Sequence, residues 1–268
     1  MSILIAVFLG VVEGLTEYLP VSSTGHLILA SSLLGDSGES GQAFDIVIQL
    51  GAILAVLVQY RALLAQRTRG LFTRDPDAVR LFYALALGVL PAAVVGVLLR
   101  KAIKAHLFGP GPVAAALIAG GVLMIVIERV RKQRGIHGLD GLEHVTPRRA
   151  LLVGLGQCVA MWPGSSRSMC TIVAGQLTGL STATAAEFSF LLGLPTLGAA
   201  TVYEAYKSRA ALSADVGVVS LVVGLVVSFL VAWLVIAAFI RYLQRRGLEP
   251  FGYYRILLGI VVFWVVAR

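Results

Sequence analysis

Glu13 and Glu17 stand one helical turn apart in the stretch EGLTEYLPVSSTGH, residues 13–26, whose neighbours are almost wholly apolar. Residues at i and i+4 share a helix face, so the two carboxylates can converge. Two like charges there require a cation, and a hard divalent ion, Mg²⁺ or Ca²⁺, takes oxygen ligands of this kind, commonly together with substrate phosphate. The alternative is one protonated glutamate, with the other paired to an arginine. Ser23 and His26, at i and i+3, also share a face, a spacing that lets a hydroxyl nucleophile hydrogen-bond to an imidazole base. Ser22 or Ser23 has a competing duty as N-cap of the helix that can start after Pro20. A second polar stretch, WPGSSRSMCT at 162–171, carries Arg167, read as the one arginine inside an apolar segment. Its guanidinium has paired planar donors suited to phosphate, it follows a helix start whose free N–H groups favour an anion, and Gly164 allows close backbone approach. Arg167 could instead neutralise Glu13 or Glu17, and that reading also brings the two stretches together.

These groups must be positioned within a membrane. Of 268 residues 58% are hydrophobic and 13% charged, with a mean hydropathy of +0.88, well below the roughly 25% charge of soluble domains. Apolar runs recur from end to end, each long enough for a hydrocarbon core about 30 Å thick. The first run, with its two glutamates and no basic leader, is expected to be retained and not cleaved as a signal peptide. The net charge of +8 sits in short loops beside apolar spans, which fits cytoplasmic topology and excludes nucleic acid as the leading partner. Cys158 and Cys170 lack the paired spacing of a zinc site or a disulfide framework and read as packing residues. Gln49 and Gln157 read as interhelical hydrogen-bonding groups.

The fold class that follows is an all-α polytopic membrane protein, one integral membrane domain over 1–268. An apolar helix over 3–19 is ended by Pro20, and a second of about a dozen residues stops near Gly35, roughly 18 Å long and too short to cross. Residues 3–34 therefore read as a re-entrant hairpin, followed by spans at 44–60, 79–99 and 112–129. An offset of 143 aligns Pro20-Val21-Ser22-Ser23 with Pro163-Gly164-Ser165-Ser166, and one inserted residue later an offset of 144 aligns Gly35 with Gly179 and Phe44 with Phe188. The second half thus supplies a hairpin at 149–178 and spans near 184–206, 216–240 and 252–267. Six transmembrane helices plus two re-entrant hairpins result, as repeat 1 (about 1–130) and repeat 2 (about 147–268). Three crossings per half make the repeat inverted in topology. The side holding loops 61–80, 129–149 and 241–255 carries 15 lysines and arginines against six on the other, so it is expected to be cytoplasmic, with both termini outside. The two proline-serine tips can then meet near the midplane.

EGLTEYLPVSSTGH and PGSSRSMCT, together with AAEFSFLLGLP at 185–195 and FDIVIQLGAILA at 44–55, resemble the undecaprenyl-diphosphate phosphatase family, also called bacitracin-resistance proteins, over the whole chain. The resemblance puts the family's carboxylate pair on Glu13 and Glu17, its serine and histidine on Ser23 and His26, and its serine-arginine-threonine on Ser166, Arg167 and Thr171, with Ser165 beside them at the phosphate site. It implies hydrolysis of a polyprenyl diphosphate lipid, undecaprenyl diphosphate, to the monophosphate in a bacterial plasma membrane, recycling the carrier for cell-wall synthesis. Membrane lipids, a divalent cation held by Glu13 and Glu17, and a homodimer complete the expected partners. Met169-Cys170 departs from the family's usual Gly-Ala, which implies different packing around the second tip. The residues themselves leave Ser23, His26 or an activated water as the attacking group. A lipid or small-solute transporter or flippase on the same inverted repeat is the reading from a different class.

Overall fold

In the computed structural model, which describes residues 1–34, 38–107 and 109–266, every regular element is helical. Gly35 and Ser37, the expected end of the first hairpin and its outer loop, and Arg268 lie outside the described residues. The apolar run at the start forms α1 (Ile3–Thr16), which ends before Pro20, and a turn leads into α2 (Ser23–Leu34). The long apolar runs form α3 (Glu39–Gln59), α5 (Pro76–Leu107) and α6 (Pro110–Gln133) in the first half. Between the first two lies α4 (Arg61–Phe72), within a stretch that reads as a loop from sequence. It has no buried residue. Its leucines, alanines, arginines and glutamine are strong helix formers without an apolar run to announce them.

The second half repeats the order. A one-turn 3₁₀ segment (Leu142–His144) precedes α7 (Pro147–Val159), a turn, and α8 (Arg167–Leu177). Then come α9 (Thr182–Lys207), a one-turn α10 (Arg209–Ala211) running into a π turn (Leu212–Val216), α11 (Val218–Leu243) and α12 (Glu249–Val266). Five helices among the described residues are long and apolar enough to cross a membrane, within α3, α5, α6, α9 and α11. The sixth expected span is α12, the shortest of the set at 18 residues, with Glu249 at its start and Arg255 inside it. The protein is a multi-pass membrane protein whose exposed surface is rich in Leu, Val, Ile and aromatic side chains, as a lipid-facing surface requires.

Packing between helices is reciprocal between the halves. α3 packs on α9 and α6 on α12, each against its counterpart, while α1 packs on α11 and, conversely, α7 packs on α5. Small residues permit the close approaches. A side chain at Gly51 of α3 would fall 2.3 Å from the Leu225 carbonyl of α11, the kind of contact that drives helix association where water cannot. The turns between α1 and α2 and between α7 and α8 lie against each other, joined by the Ser168 hydroxyl on the Leu19 carbonyl.

Candidate active site

The two turns share an unusual backbone feature. Ser22 and Ser166 both lie in the left-handed region, at φ 74° and 69°, where a non-glycine residue is uncommon and held by its surroundings. Each hydroxyl caps the helix that follows: Ser22 Oγ accepts from the Gly25 N–H at 3.3 Å, and Ser166 Oγ from the Met169 N–H at 3.3 Å. Ser22, not Ser23, is therefore the cap of α2, which leaves Ser23 free for other bonding. Ser166 lies 144 residues after Ser22, and its turn is shaped by Gly164 at φ 93°, where a side chain would meet the Val113 carbonyl at 2.5 Å.

Glu17 is the point where the turns join. It is 5% exposed, just beyond the end of α1. Its Oε2 accepts from the Ser23 hydroxyl at 2.7 Å and from Gln49 Nε2 at 3.1 Å, and its Oε1 receives the Arg167 guanidinium at 3.2 Å. The Arg167–Glu17 pair is nearly enclosed, with 10% and 4% of the two side chains exposed. Arg167 also donates to Ser189, at 2.8 Å to the carbonyl and 3.2 Å to the hydroxyl, and stands 5.5 Å from the centre of the Tyr18 ring. Gln49 is itself anchored by the Thr201 hydroxyl at 3.2 Å. The reading of Gln49 as an interhelical group is correct as far as it goes, but its amide ends on the central carboxylate.

Besides the Tyr18 hydroxyl, two buried atoms in this cluster find no hydrogen-bond partner among the described residues, Glu13 Oε1 and Arg167 Nε. A buried acceptor and a buried donor left open are costly. They are accounted for if the acceptor meets a cation and the donor a phosphate oxygen. No group of three or more His, Cys, Asp or Glu side chains suited to a metal is found among the described residues, so an ion here would draw on Glu13 together with substrate and water oxygens. That donor set suits Mg²⁺ or Ca²⁺, which take oxygen ligands and share them with phosphate. Glu17, already bonded at both oxygens, fits the cation less well than Glu13.

The remaining expected residues divide. Thr171 is completely buried and donates to the Arg167 carbonyl at 2.8 Å, with its hydroxyl 2.7 Å from that of Ser189. Its hydroxyl is therefore committed to holding Arg167 and Ser189 in place. Ser166 is engaged by its cap and by the Ser168 hydroxyl at 3.0 Å. Ser165 is buried in the turn and closes it by donating its N–H to the Trp162 carbonyl at 3.0 Å. Ser23 and His26 do not form the expected hydrogen bond. Ser23 turns to Glu17, while His26 places Nδ1 2.8 Å from the Ser22 carbonyl and Nε2 2.6 Å from the Tyr254 hydroxyl.

Arg167, partly buried, is not the only arginine at the two turns. Arg255, which sequence assigns to a cytoplasmic loop, is fully buried in α12. It donates to the Pro20 carbonyl of the first turn at 3.2 Å, to the Gly164 carbonyl of the second at 3.0 Å, and to Ala116 of α6 at 3.2 Å. One guanidinium thus binds the backbone of both turns, beside a further direct tie from Ser168 Oγ to the Leu19 carbonyl at 2.8 Å. The departing residues Met169 and Cys170 are buried behind the second turn. Met169 reaches the same glycine, Gly120, whose missing side chain makes room for Arg255. A crevice of about 770 Å³ elsewhere, lined by Glu128, Lys132 and Arg246, shares no residue with this cluster.

The arrangement joins a hydroxyl to a carboxylate acceptor, and that carboxylate to a guanidinium, in a nearly dry site. It is equipped for attack on an anionic phosphorus centre. Comparison with known proteins points the same way. The sequence profile described as "Bacitracin resistance protein BacA" matches residues 6–261. A protein of Sorangium cellulosum (strain So ce56) named "Undecaprenyl-diphosphatase" is 63% identical over 261 residues, covering 97% of this chain and 85% of its own. Proteins of the same name from Sphingopyxis alaskensis, 47% identical with 94% of each chain covered, and Thermoanaerobacter pseudethanolicus, 43% identical over 100% of this chain and 98% of the other, extend the similarity across distant bacteria.

Proposed function

Because the chain belongs to the bacitracin resistance protein BacA family, we propose that it is a membrane phosphatase hydrolysing undecaprenyl diphosphate to undecaprenyl phosphate and inorganic phosphate. This recycles the lipid carrier for peptidoglycan synthesis in the bacterial plasma membrane. The observation that carries the mechanism is the 2.7 Å hydrogen bond from Ser23 to Glu17, itself paired with Arg167 from the other half. Ser23 Oγ attacks the terminal phosphorus and its proton passes to Glu17 Oε2. The bond from phosphorus to the bridging oxygen breaks and undecaprenyl phosphate leaves. Glu17 gives that proton to the departing undecaprenyl phosphate and then takes one from a water that attacks the phosphoserine; the bond from phosphorus to Ser23 Oγ breaks, Glu17 returns the proton to Ser23 Oγ, and inorganic phosphate leaves. Arg167, with its open Nε, and the N-terminus of α8 hold phosphate oxygens. Glu13 would hold a divalent cation, which when bound offsets diphosphate charge and polarises the phosphoryl group.

The inverted repeat is supported by the matched left-handed serines and by the reciprocal packing of α1 on α11 and α7 on α5. It implies six crossings with α12 as the last, and two hairpins that enter from opposite sides. By the charge count the site opens to the outer face and both termini lie outside. Arg255, now placed beside the turns, leaves the cytoplasmic tally without reversing it.

A soluble short-chain prenyl diphosphate in detergent tests the reaction, since no transport can be scored there. Phosphate release is expected from the unaltered protein, and Ser23→Ala should lower kcat on the order of 1,000-fold or more while substrate still binds. Retention of substantial turnover by Ser23→Ala would remove it as nucleophile, and absence of release from the unaltered protein would favour a transporter.

A further inference from the structure

Helix α12 contributes to the site a second time, through Tyr254. The His26 imidazole is held at both nitrogens, with the Ser22 carbonyl 2.8 Å from Nδ1 and the Tyr254 hydroxyl 2.6 Å from Nε2. The tyrosine ring also stacks on the imidazole, with centroids 5.6 Å apart and planes within 8°. A carbonyl oxygen carries no proton, so Nδ1 must be the N–H nitrogen of this bond. In the neutral ring Nε2 then presents a lone pair, and the Tyr254 O–H donates to it.

Both bonds therefore act in one direction, from α12 to the first turn. Ser22, whose carbonyl receives the imidazole N–H, is the residue held at φ 74° and the one immediately before Ser23. A left-handed serine relaxes unless its surroundings hold it, and here the hold on its carbonyl comes from His26. An aromatic residue at a membrane boundary ordinarily turns its polar end to headgroups and water. Tyr254 is 45% exposed, yet its hydroxyl turns inward to the imidazole.

We propose that Tyr254 is a positioning residue for the phosphatase reaction, orienting His26 in its Nδ1–H tautomer so that His26 fixes the Ser22 turn and presents Ser23 to Glu17. The proposal rests on the phosphatase assignment above. It also gives His26 a function that needs neither attack on phosphorus nor proton removal from Ser23.

Tyr254→Phe tests it, because the change deletes one hydroxyl at a half-exposed position and keeps the stacked ring. In the detergent assay kcat should fall about tenfold with KM within about twofold, the loss of one oriented hydrogen bond. In a His26→Gln background the same substitution should change kcat by less than about twofold, since a residue that acts through His26 has nothing left to orient. The independent readout is the ¹⁵N spectrum of histidine-labelled protein in micelles, where the chain has four histidines and His26 is assigned by its disappearance in His26→Gln. A protonated Nδ1 and a hydrogen-bonded, unprotonated Nε2 are expected, with the Nε2 resonance moving to an unbonded position in Tyr254→Phe. An Nε2–H tautomer overturns the proposal, and so does a Tyr254→Phe enzyme with unchanged kcat. Failure of the unaltered protein to release phosphate would bring down the phosphatase assignment itself and, with it, the positioning role.

Discussion

Glu17 accepts hydrogen bonds from side chains of three different helices, Ser23 of α2, Gln49 of α3 and Arg167 of α8. Glu13, one turn earlier and 1% exposed, has an oxygen that meets none among the described residues. Two glutamates with the same spacing and burial are therefore predicted to respond in opposite ways. Glu17→Gln keeps the shape but leaves the Arg167 charge buried without its counter-charge, which costs about 3–5 kcal/mol. It also removes the acceptor for the Ser23 proton. Thermal unfolding in detergent should show a lower midpoint, and turnover should fall on the order of 1,000-fold. Glu13→Gln should cost turnover without costing stability, because no bond within the protein is broken. If Glu13 holds the cation, adding Mg²⁺ or Ca²⁺ should raise the unfolding midpoint of the unaltered protein by mass action, and Glu13→Gln should abolish that rise. A midpoint that responds equally in both proteins would place the ion elsewhere.

At the level of elements, the tie between turns depends on α12 and on an absent side chain in α6. A Cβ at Gly120 would stand 2.4 Å from Arg255 Nη2 and 2.8 Å from Met169 Cε. Gly120→Ala should therefore push the guanidinium off the Pro20 and Gly164 carbonyls, lowering both the unfolding midpoint and kcat. Gly96→Ala, whose Cβ would meet only Met161 Cε at 3.5 Å, should leave both near their starting values. Equal behaviour of the two variants would mean that Arg255 does not join the turns. The contrast also marks what sequence could and could not convey. The long helices were legible because apolar runs of spanning length have no other soluble or membrane use. The turns were legible because proline and paired serines interrupt those runs. Arg255 was not legible, since an arginine near a basic loop at the start of an apolar segment has the same local signature whether it faces water or a buried carbonyl. Ser189 and Gln49 were obscured for a related reason, because a polar residue in a span does not say which helix it faces. The expected Ser23–His26 bond does not form, because helical spacing fixes only which face two residues share and not what each one bonds. Their partners came from residues six and 228 positions away.

For the whole molecule, the proposed reaction draws on both turns. Ser23 and Glu17 come from the first half, Arg167 from the second, and Arg255 of α12 and Ser168 tie the turns together. Such a site has to be reached from one side of the membrane, and the inverted arrangement proposed above predicts which: the α5–α6 connection on the outer face and the segment after α6, where Arg129, Lys132 and Arg134 gather, in the cytoplasm. Single cysteines at Gly111 and Arg134, both exposed and at opposite ends of α6, test this in a background with Cys158→Ala and Cys170→Ala. A membrane-impermeant thiol reagent applied to right-side-out vesicles should label Gly111→Cys and spare Arg134→Cys, with the pattern exchanged in inverted vesicles. The reverse pattern would turn the site toward the cytoplasm. Hydrolysis of externally added prenyl diphosphate by sealed right-side-out vesicles would then fail, although the same protein in detergent would remain active.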